Sequence, residues 1–348
     1  MSKTENPYRG RPEKSFWLPS VAERHFSEIA DLWQPFTLKK TDRVATAGSC
    51  FAQHIGHNLM ARGANFMDCE PPPTFLTDPA GARRFGYGVF SCRYGNIYTS
   101  RQLLQLFQEA FGIRTPEEVV WTKQGRFFDA LRPGVNPVGH ASAEDVITMR
   151  KGHLRAVRQM FEEVDLFVFT MGLTEGWEAK SDGTIYPMAP GTACGEFDPS
   201  KYQFCNLRYN DVAEDMSNFR RLLKEVNPHA RILLTVSPVP LMATASDDHV
   251  LVATSYSKSV LRSVAGDLAH DYDGIYYFPS FEIISTHPFR GSFFEPDLRE
   301  VNQVGVNLVM DHFFSGALAA EFGDATNEAE DELDLICDEE ALDLERTA

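Results

Sequence analysis

The sequence has no run of about 18 consecutive apolar residues, the length that a membrane-spanning helix requires. Its first residues, MSKTENPYRGRPEK, also lack the apolar core of a secretory signal peptide. We therefore expect a soluble, cytoplasmic protein with no insertion into a membrane.

Cysteine is sparse, and its spacing has no recognisable pattern. The six cysteines form no CxxC pair and no zinc-like spacing. We expect reduced thiols, with neither a disulfide framework nor a structural metal site.

An excess of positive charge is absent too, because 33 lysines and arginines face 49 acidic residues for a net charge of -16. Binding to phosphate groups needs a cationic surface, so we do not expect nucleic acid as a partner.

Much of the negative charge lies at the C-terminal end. From Asp324 onward there are eleven acidic residues and one arginine, so this segment carries -10 and the preceding part about -6. Leu333, Leu335 and Ile336 lie among the acids. The composition is typical of a disordered, solubilising tail, and the alternative is an acidic-hydrophobic segment that docks onto an unknown protein.

What the sequence does contain is enough apolar material for one large core. The chain has 348 residues, of which 43% are hydrophobic and 12% aromatic. We expect an N-terminal arm at 1–35 with a helix over 21–33, a main domain at 36–322 and an acidic tail at 323–348. Loop insertions are expected at about 115–142 and 178–210.

The segment RVATAGSCFAQHIGHNLMAR, residues 43–62, predicts a buried strand, a sharp turn at Gly48 and an amphipathic helix. Ser49 and Cys50 fall where the first helical amides point outward. A cysteine at such a helix start loses its proton more easily, which makes Cys50 a candidate nucleophile. The alternative is that Cys50 packs as a small hydrophobic residue.

Five strand candidates alternate with helical segments, at 43–47, 64–67, 165–170, 231–236 and 274–278. This order predicts an α/β fold, a three-layer α/β/α domain with a five-stranded, mostly parallel sheet. Polar residues that follow the strands should then meet at the carboxyl edge of the sheet.

Three further polar residues have local interpretations. Asp129 and Arg132 are expected to form a local salt bridge, with substrate orientation as the alternative. His153 lies on the apolar stripe of a long helix and is expected to be a histidine at the edge of the core.

The motif GSCFA at 48–52, with TVSPVP at 235–240, resembles the GSCFA domain family of bacterial proteins, a branch of the SGNH (GDSL-type) hydrolase superfamily. The resemblance extends over about 36–314. In that superfamily a Gly-Asp-Ser triplet carries the nucleophile in its third position. The resemblance therefore implies Cys50 as the first candidate nucleophile and Ser49 as the second.

The second block of the superfamily supplies an oxyanion-hole donor, and YGN at 94–96 is similar to it. The resemblance implies that Gly95 contributes a backbone amide and Asn96 a carboxamide. The alternative is a turn that uses both residues for positive φ.

The third block, Gly-x-Asn-Asp, is similar to GLTE at 172–175. Gly172 is retained, Thr174 stands where the oxyanion asparagine is expected, and Glu175 replaces the aspartate. Trp177 is a candidate platform for a sugar ring or acyl chain, or a core residue. Ser237 lies at the rim of the sheet, at the end of the strand RILLTV.

The catalytic base of the superfamily lies in a block Asp-x-x-His-x-Asn-x-x-Gly, and DLREVNQVG at 297–305 is similar to it. Asp297 is retained, but Glu300 occupies the histidine position. Either Glu300 accepts the proton or His287 moves into its place, with His54 and His249 as further imidazoles within possible reach. The third alternative is a site that binds without catalysis.

The resemblance implies an acyl-group enzyme, an esterase or an O-acyltransferase, that acts on a carbohydrate or glycoconjugate precursor of polysaccharide biosynthesis through a covalent acyl-enzyme. No tightly bound cofactor is expected, and an acyl-CoA is a candidate co-substrate. The competing class is a non-catalytic module that binds a carbohydrate or a partner.

Overall fold

The computed structural model describes residues 6–34, 36–315 and 317–322. These residues form strands β1 Arg43–Gly48, β2 Asn65–Phe66, β3 Val120–Lys123, β4 Arg126–Asp129, β5 Leu166–Met171, β6 Glu175–Ala179, β7 Ile185–Tyr186, β8 Tyr202–Asn206, β9 Arg231–Val236 and β10 Ile275–Phe278. The helices are α1 Ala52–Ala61, α2 Pro79–Arg84, α3 Ser100–Ala110, α4 Ala143–Glu163, α5 Tyr209–Val226, α6 Val250–Asp271, α7 Ser280–Ser285, α8 Gln303–Phe313 and α9 Ala317–Phe322.

The central sheet has five strands in the order β10-β9-β5-β1-β2, and every neighbouring pair is parallel. The α/β fold class and the five predicted strands are thus confirmed. The central strands β1, β5 and β9 are almost entirely buried, as expected for a parallel sheet covered on both faces.

Alternate residues of these strands belong to two different hydrophobic clusters. On one face, Ala45, Phe167 and Ile232 pack in the cluster that holds α3, α4, α5 and α6. On the other face, Val44 and Leu233 pack in the cluster that holds α1, α7, α8 and α9. The sheet therefore lies between two helical layers, as the three-layer prediction requires.

Local side chains fix where the helices begin. Thr99 and Gln102 form a capping box at the start of α3, and Ser142 and Asp145 form one at the start of α4. Asn302 caps α8 by accepting a hydrogen bond from the Gly305 amide, 2.9 Å long.

Two small sheets lie outside the central one. Strands β3 and β4 form an antiparallel hairpin, and β7, β6 and β8 form a three-stranded antiparallel sheet. The second of these follows the carboxyl end of β5 directly and forms one wall of the site described below.

The helix predicted over 21–33 is wrong. The chain instead makes a π-helical turn at Leu18–Ala22 and a 3-10 turn at Phe26–Glu28, and Asp31 has a φ of 57°. The segment is held by tertiary contacts: the Trp33 indole donates a 2.6 Å hydrogen bond to the His312 carbonyl and stacks on Phe313. These contacts outweigh the local helical pattern.

Within the described residues, no helix combines the length and the apolar character needed to cross a membrane. The acidic segment at 323–348, for which we predicted a tail and a docking role, lies outside the described residues.

Candidate active site at the carboxyl edge of the sheet

The turn after β1 depends on a close approach between two strands. Gly48 has a φ of 139°, and a Cβ atom added to it would lie 2.3 Å from the Thr170 carbonyl oxygen of β5. The Ser49 amide donates to that same oxygen at 3.1 Å, and the Ile97 amide donates to the Gly48 carbonyl at 2.9 Å. Three chain segments therefore converge where β1 ends.

The Ser49 hydroxyl is buried, as are the Thr46 and Thr170 hydroxyls of the adjoining strands. The exposed fraction of Ser49 is 3%, and its Oγ has no hydrogen-bond partner among the described residues. A Cβ added to Gly172 would lie 3.2 Å from the Ser49 Cβ and 3.1 Å from the Tyr98 carbonyl oxygen. The space beside Ser49 is therefore kept by a glycine at the end of the neighbouring strand.

Cys50 lies in different surroundings. Its side chain is 2% exposed and belongs to the apolar cluster of Phe51, Ile55, Val239 and Phe289. No described carboxylate or imidazole forms a hydrogen bond with its thiol. Buried cysteines in apolar packing are generally inert, so this packing argues against the Cys50 thiol as a nucleophile.

The 94–96 segment lies beside the end of β1, where the Ile97 amide bonds to the Gly48 carbonyl. Gly95 is half-buried with a φ of 69°, which accounts for glycine at this turn position. Asn96 is buried and lines an internal cavity of about 30 Å³ together with Arg132 and His153. The carboxamide therefore borders the interior of the domain.

The Thr174 side chain makes its polar contact inside the domain. Its hydroxyl donates a 2.7 Å hydrogen bond to the Asn206 side-chain oxygen, so its one proton is used internally. The Thr174 amide donates to the Ser257 hydroxyl at 3.0 Å, and Lys258 donates to the Gly172 carbonyl at 2.6 Å. Thr174 is therefore a positioning residue.

Lys258 is a positioning residue that the motifs did not indicate. It is 3% exposed and anchors α6 to the segment that contacts Ser49. The signal available in the sequence was its position on the buried stripe of α6, beside Ser257.

Ser237 and Ser280 follow β9 and β10 at the same edge but serve the backbone. The Ser237 amide donates to the Met171 carbonyl at 2.9 Å, and its hydroxyl accepts from the Val239 amide at 3.3 Å. The Ser280 hydroxyl donates to the Val236 carbonyl at 3.0 Å. The Ser237 hydroxyl thus shapes the turn after β9, and the Ser280 hydroxyl links the ends of β9 and β10.

A pocket of about 230 Å³ opens beside the Gly172 segment. Its lining is mostly apolar and aromatic and includes Tyr98, Leu173, Trp177 and Phe204, with the Glu175 carboxylate among them. Burial raises the pKa of Glu175, whereas hydrogen bonds from the Thr244 hydroxyl and the Ala245 amide lower it. Glu175 and Trp177 thus line the same pocket.

The residues expected to supply the base are not gathered at Ser49 or Cys50. Asp297 is exposed and accepts hydrogen bonds from the Arg299 and Glu300 amides, which shapes its own loop. The Glu300 side chain is exposed as well. His287 is exposed and stacks on Trp17 of the arm, with ring centroids 5.4 Å apart.

Two other histidines were named as alternatives, and they differ. His249 is the N-cap of α6 and accepts a hydrogen bond from the Leu251 amide at 3.2 Å. His54 lies in the first turns of α1, is 5% exposed, and its Nε2 has no hydrogen-bond partner among the described residues. Burial, with the nearby charges of His57 and Arg83, lowers the pKa of His54 to about 4.

The predicted local salt bridge between Asp129 and Arg132 is confirmed, with a distance of 2.7 Å. His153 is also a core histidine, as expected: it is 1% exposed and 2.7 Å from Glu70. Arg150 completes this buried ionic network by pairing with Asp129. These groups balance each other's charge in the interior of the domain.

Comparison with protein families identifies the family of this chain. A family model described as the GSCFA family matches residues 43–313, from the first residue of β1 to the last residue of α8. No curated protein matches the chain.

Proposed function

The chain belongs to the GSCFA family, and from that premise we propose that it is an acyl-group enzyme of the SGNH type, an esterase or an O-acyltransferase. The observation that carries the proposal is the Ser49 hydroxyl, which is buried at the carboxyl edge of a parallel sheet with no described hydrogen-bond partner. Ligands of open α/β sheets bind at this edge, and an orphaned buried polar group calls for a functional reason.

In the proposed reaction, the Ser49 oxygen attacks the carbonyl carbon of an ester while its proton passes to the Nε2 of His54. Because the pKa of His54 is about 4, the imidazole is neutral near pH 7 and can accept a proton. Collapse of the tetrahedral intermediate breaks the ester bond, and the leaving oxygen takes the proton from His54. Water or an acceptor hydroxyl then releases the acyl group.

Neither the Ser49 hydroxyl nor the His54 Nε2 has a described hydrogen-bond partner, so the proposed proton transfer requires the two side chains to come within hydrogen-bonding distance when substrate binds. Catalytic hydrogen bonds are often long in structures without substrate and shorten when it binds. The backbone amides at the start of α1 and the Gly95 segment are the proposed donors to the oxyanion.

The proposed substrate is a small molecule or a carbohydrate precursor of polysaccharide assembly in the cytoplasm of a bacterium. The pocket lined by Tyr98, Glu175 and Trp177 supports this, because its lining residue Leu173 follows Gly172, which packs against Ser49, and its rings offer aromatic surface for an organic group. An acyl-CoA is the proposed acyl donor if the reaction is a transfer.

Hydrolysis of p-nitrophenyl acetate tests the nucleophile. Replacement of the attacking group should lower kcat/KM by at least about a hundredfold. We expect this loss for Ser49→Ala, whereas Cys50→Ala, the matched control at the next position, should retain activity. A loss in Cys50→Ala alone would assign the reaction to the thiol, and no hydrolysis by the native protein would refute the enzyme proposal.

One observation favours a second candidate function, a non-catalytic binding module. Asp297, Glu300 and His287, which stand at or near the expected position of the base, are exposed and make contacts elsewhere. No hydrolysis of p-nitrophenyl acetate, together with carbohydrate binding measured by calorimetry, would support this alternative.

A further inference from the structure

The pocket beside the Gly172 segment has a distinctive chemical make-up. Its volume of about 230 Å³ exceeds that of a cavity that holds benzene, which is about 150 Å³. Tyr98, Trp177 and Phe204 contribute aromatic surface, and Met188 and Leu241 contribute aliphatic surface. The pocket is therefore large enough for a small branched organic group.

Glu175 is the one charged side chain among the described residues that line this pocket. Its carboxylate accepts hydrogen bonds from the Thr244 hydroxyl at 2.7 Å and from the Ala245 amide at 3.4 Å. A carboxylate can accept about four hydrogen bonds, so it keeps capacity for a ligand. The nearby acid Asp248 adds to the negative potential.

A carboxylate that has no cation beside it is unfavourable in largely apolar surroundings. A pocket that binds only apolar ligands has no need of such a group. A cationic ligand would remove the imbalance by pairing with the carboxylate. Aromatic rings favour the same kind of ligand, because their faces attract a desolvated cation. Carboxylate and rings thus indicate one ligand class.

The Trp177 ring is held in place by its neighbours. It packs against Phe197 with ring centroids 5.2 Å apart at 79° and against Phe204 at 5.9 Å and 61°. Trp177 and Glu175 lie two residues apart on β6, so both side chains project to the same side of that strand. The strand therefore presents an indole and a carboxylate together.

We propose that the pocket formed by Tyr98, Glu175, Trp177 and Phe204 binds an organic ammonium ion. The inference narrows the substrate to a molecule that carries an ammonium group, and to that extent it rests on the proposed function. Binding itself needs neither Ser49 nor catalysis.

The test compares choline with its uncharged isostere 3,3-dimethyl-1-butanol by isothermal titration calorimetry on the native protein. The two probes have nearly the same shape, so the difference isolates the charge. We expect choline to bind at least tenfold more tightly. Equal affinities would reduce the site to an ordinary apolar pocket, and no choline binding would overturn the proposal.

Variants then test whether Glu175 causes the preference for choline over the uncharged probe. In Glu175→Gln the ratio of the two affinities should fall towards one, whereas Glu178→Gln, on the same strand but outside the pocket lining, should keep the native ratio. An equal loss in both variants would contradict a specific role for Glu175. Ser49→Ala should lose ester hydrolysis and retain choline binding, which separates failure of this inference from failure of the proposed reaction.

Discussion

Ser49 and His54 each carry a buried polar atom that no described group satisfies. Leaving such an atom unpaired costs about 1–3 kcal/mol. Both residues lie within six positions of each other, at the turn into α1 and in its first turns. A shared role in a reaction gives a reason for keeping both, whereas packing alone would favour apolar side chains there.

His54 predicts a specific dependence of stability on pH. Its pKa is about 4 in the folded protein and near 6.5 in the unfolded chain. Between these values the unfolded imidazole binds a proton that the folded one does not, so the free energy of unfolding falls as the pH falls below 6.5. From pH 7 to pH 5 the loss due to His54 should be about 2 kcal/mol.

Urea unfolding at the two pH values measures this effect. The His54→Gln variant should lose about 2 kcal/mol less than the native protein over the same interval. The control is His229→Gln, since His229 is exposed and its replacement should leave the native dependence nearly unchanged. A native-like loss in His54→Gln would show that this imidazole is not buried in its neutral form.

At the scale of elements, the joint between β1 and β5 fixes the geometry of the site. The strands pair in parallel register from Val44 with Leu166 to Gly48 with Thr170. The turn can begin immediately after the last pair only because Gly48 has no side chain to meet β5. Ser49 is thereby placed directly against the end of the neighbouring strand.

The Gly48→Ala substitution should therefore be severe. A side chain at this positive φ is strained, and its Cβ would also clash with the Thr170 carbonyl oxygen. We expect the free energy of unfolding to fall by at least about 3 kcal/mol. Gly63→Ala is the control, because Gly63 has a φ of 73° but open space around it, and it should cost about 1 kcal/mol. Equal effects in urea unfolding would contradict the close approach.

Most elements of the central domain could be predicted from the sequence because their signals are local. The apolar runs of β5 and β9 and the capping residues of α3 and α4 indicate their elements directly. The segment at 21–33 could not be predicted in this way. Its apolar residues pack against distant helices and against Phe293, so they do not report a helical period.

At the scale of the whole molecule, the sequence predicted which strand ends converge but not which side chains meet there. Parallel topology alone places the residues after β1, β5 and β9 together. The sides to which Ser49 and Cys50 point depend on the turn after Gly48, which no motif records. The loop at 294–301 has its own Asp297 hydrogen bonds, and these direct Glu300 to solvent.

The N-terminal arm packs against residues that the sequence placed near the nucleophile. Trp33 and Phe36 pack in the cluster that also holds Cys50, α7 and α8. Trp17 of the arm stacks on the His287 ring. A residue expected near the nucleophile is thus held by a segment more than 200 positions earlier in the chain, and no local pattern could reveal this.

The central claim is that Ser49 carries a reactive hydroxyl. Its most direct test is treatment of the folded native protein with a fluorophosphonate, followed by mass spectrometry that locates the adduct within the peptide containing both Ser49 and Cys50. The account predicts one adduct on the Ser49 oxygen. The adduct should also form in Cys50→Ala, and it should not form when the protein is denatured before treatment. An unmodified Ser49 in the folded protein would contradict it.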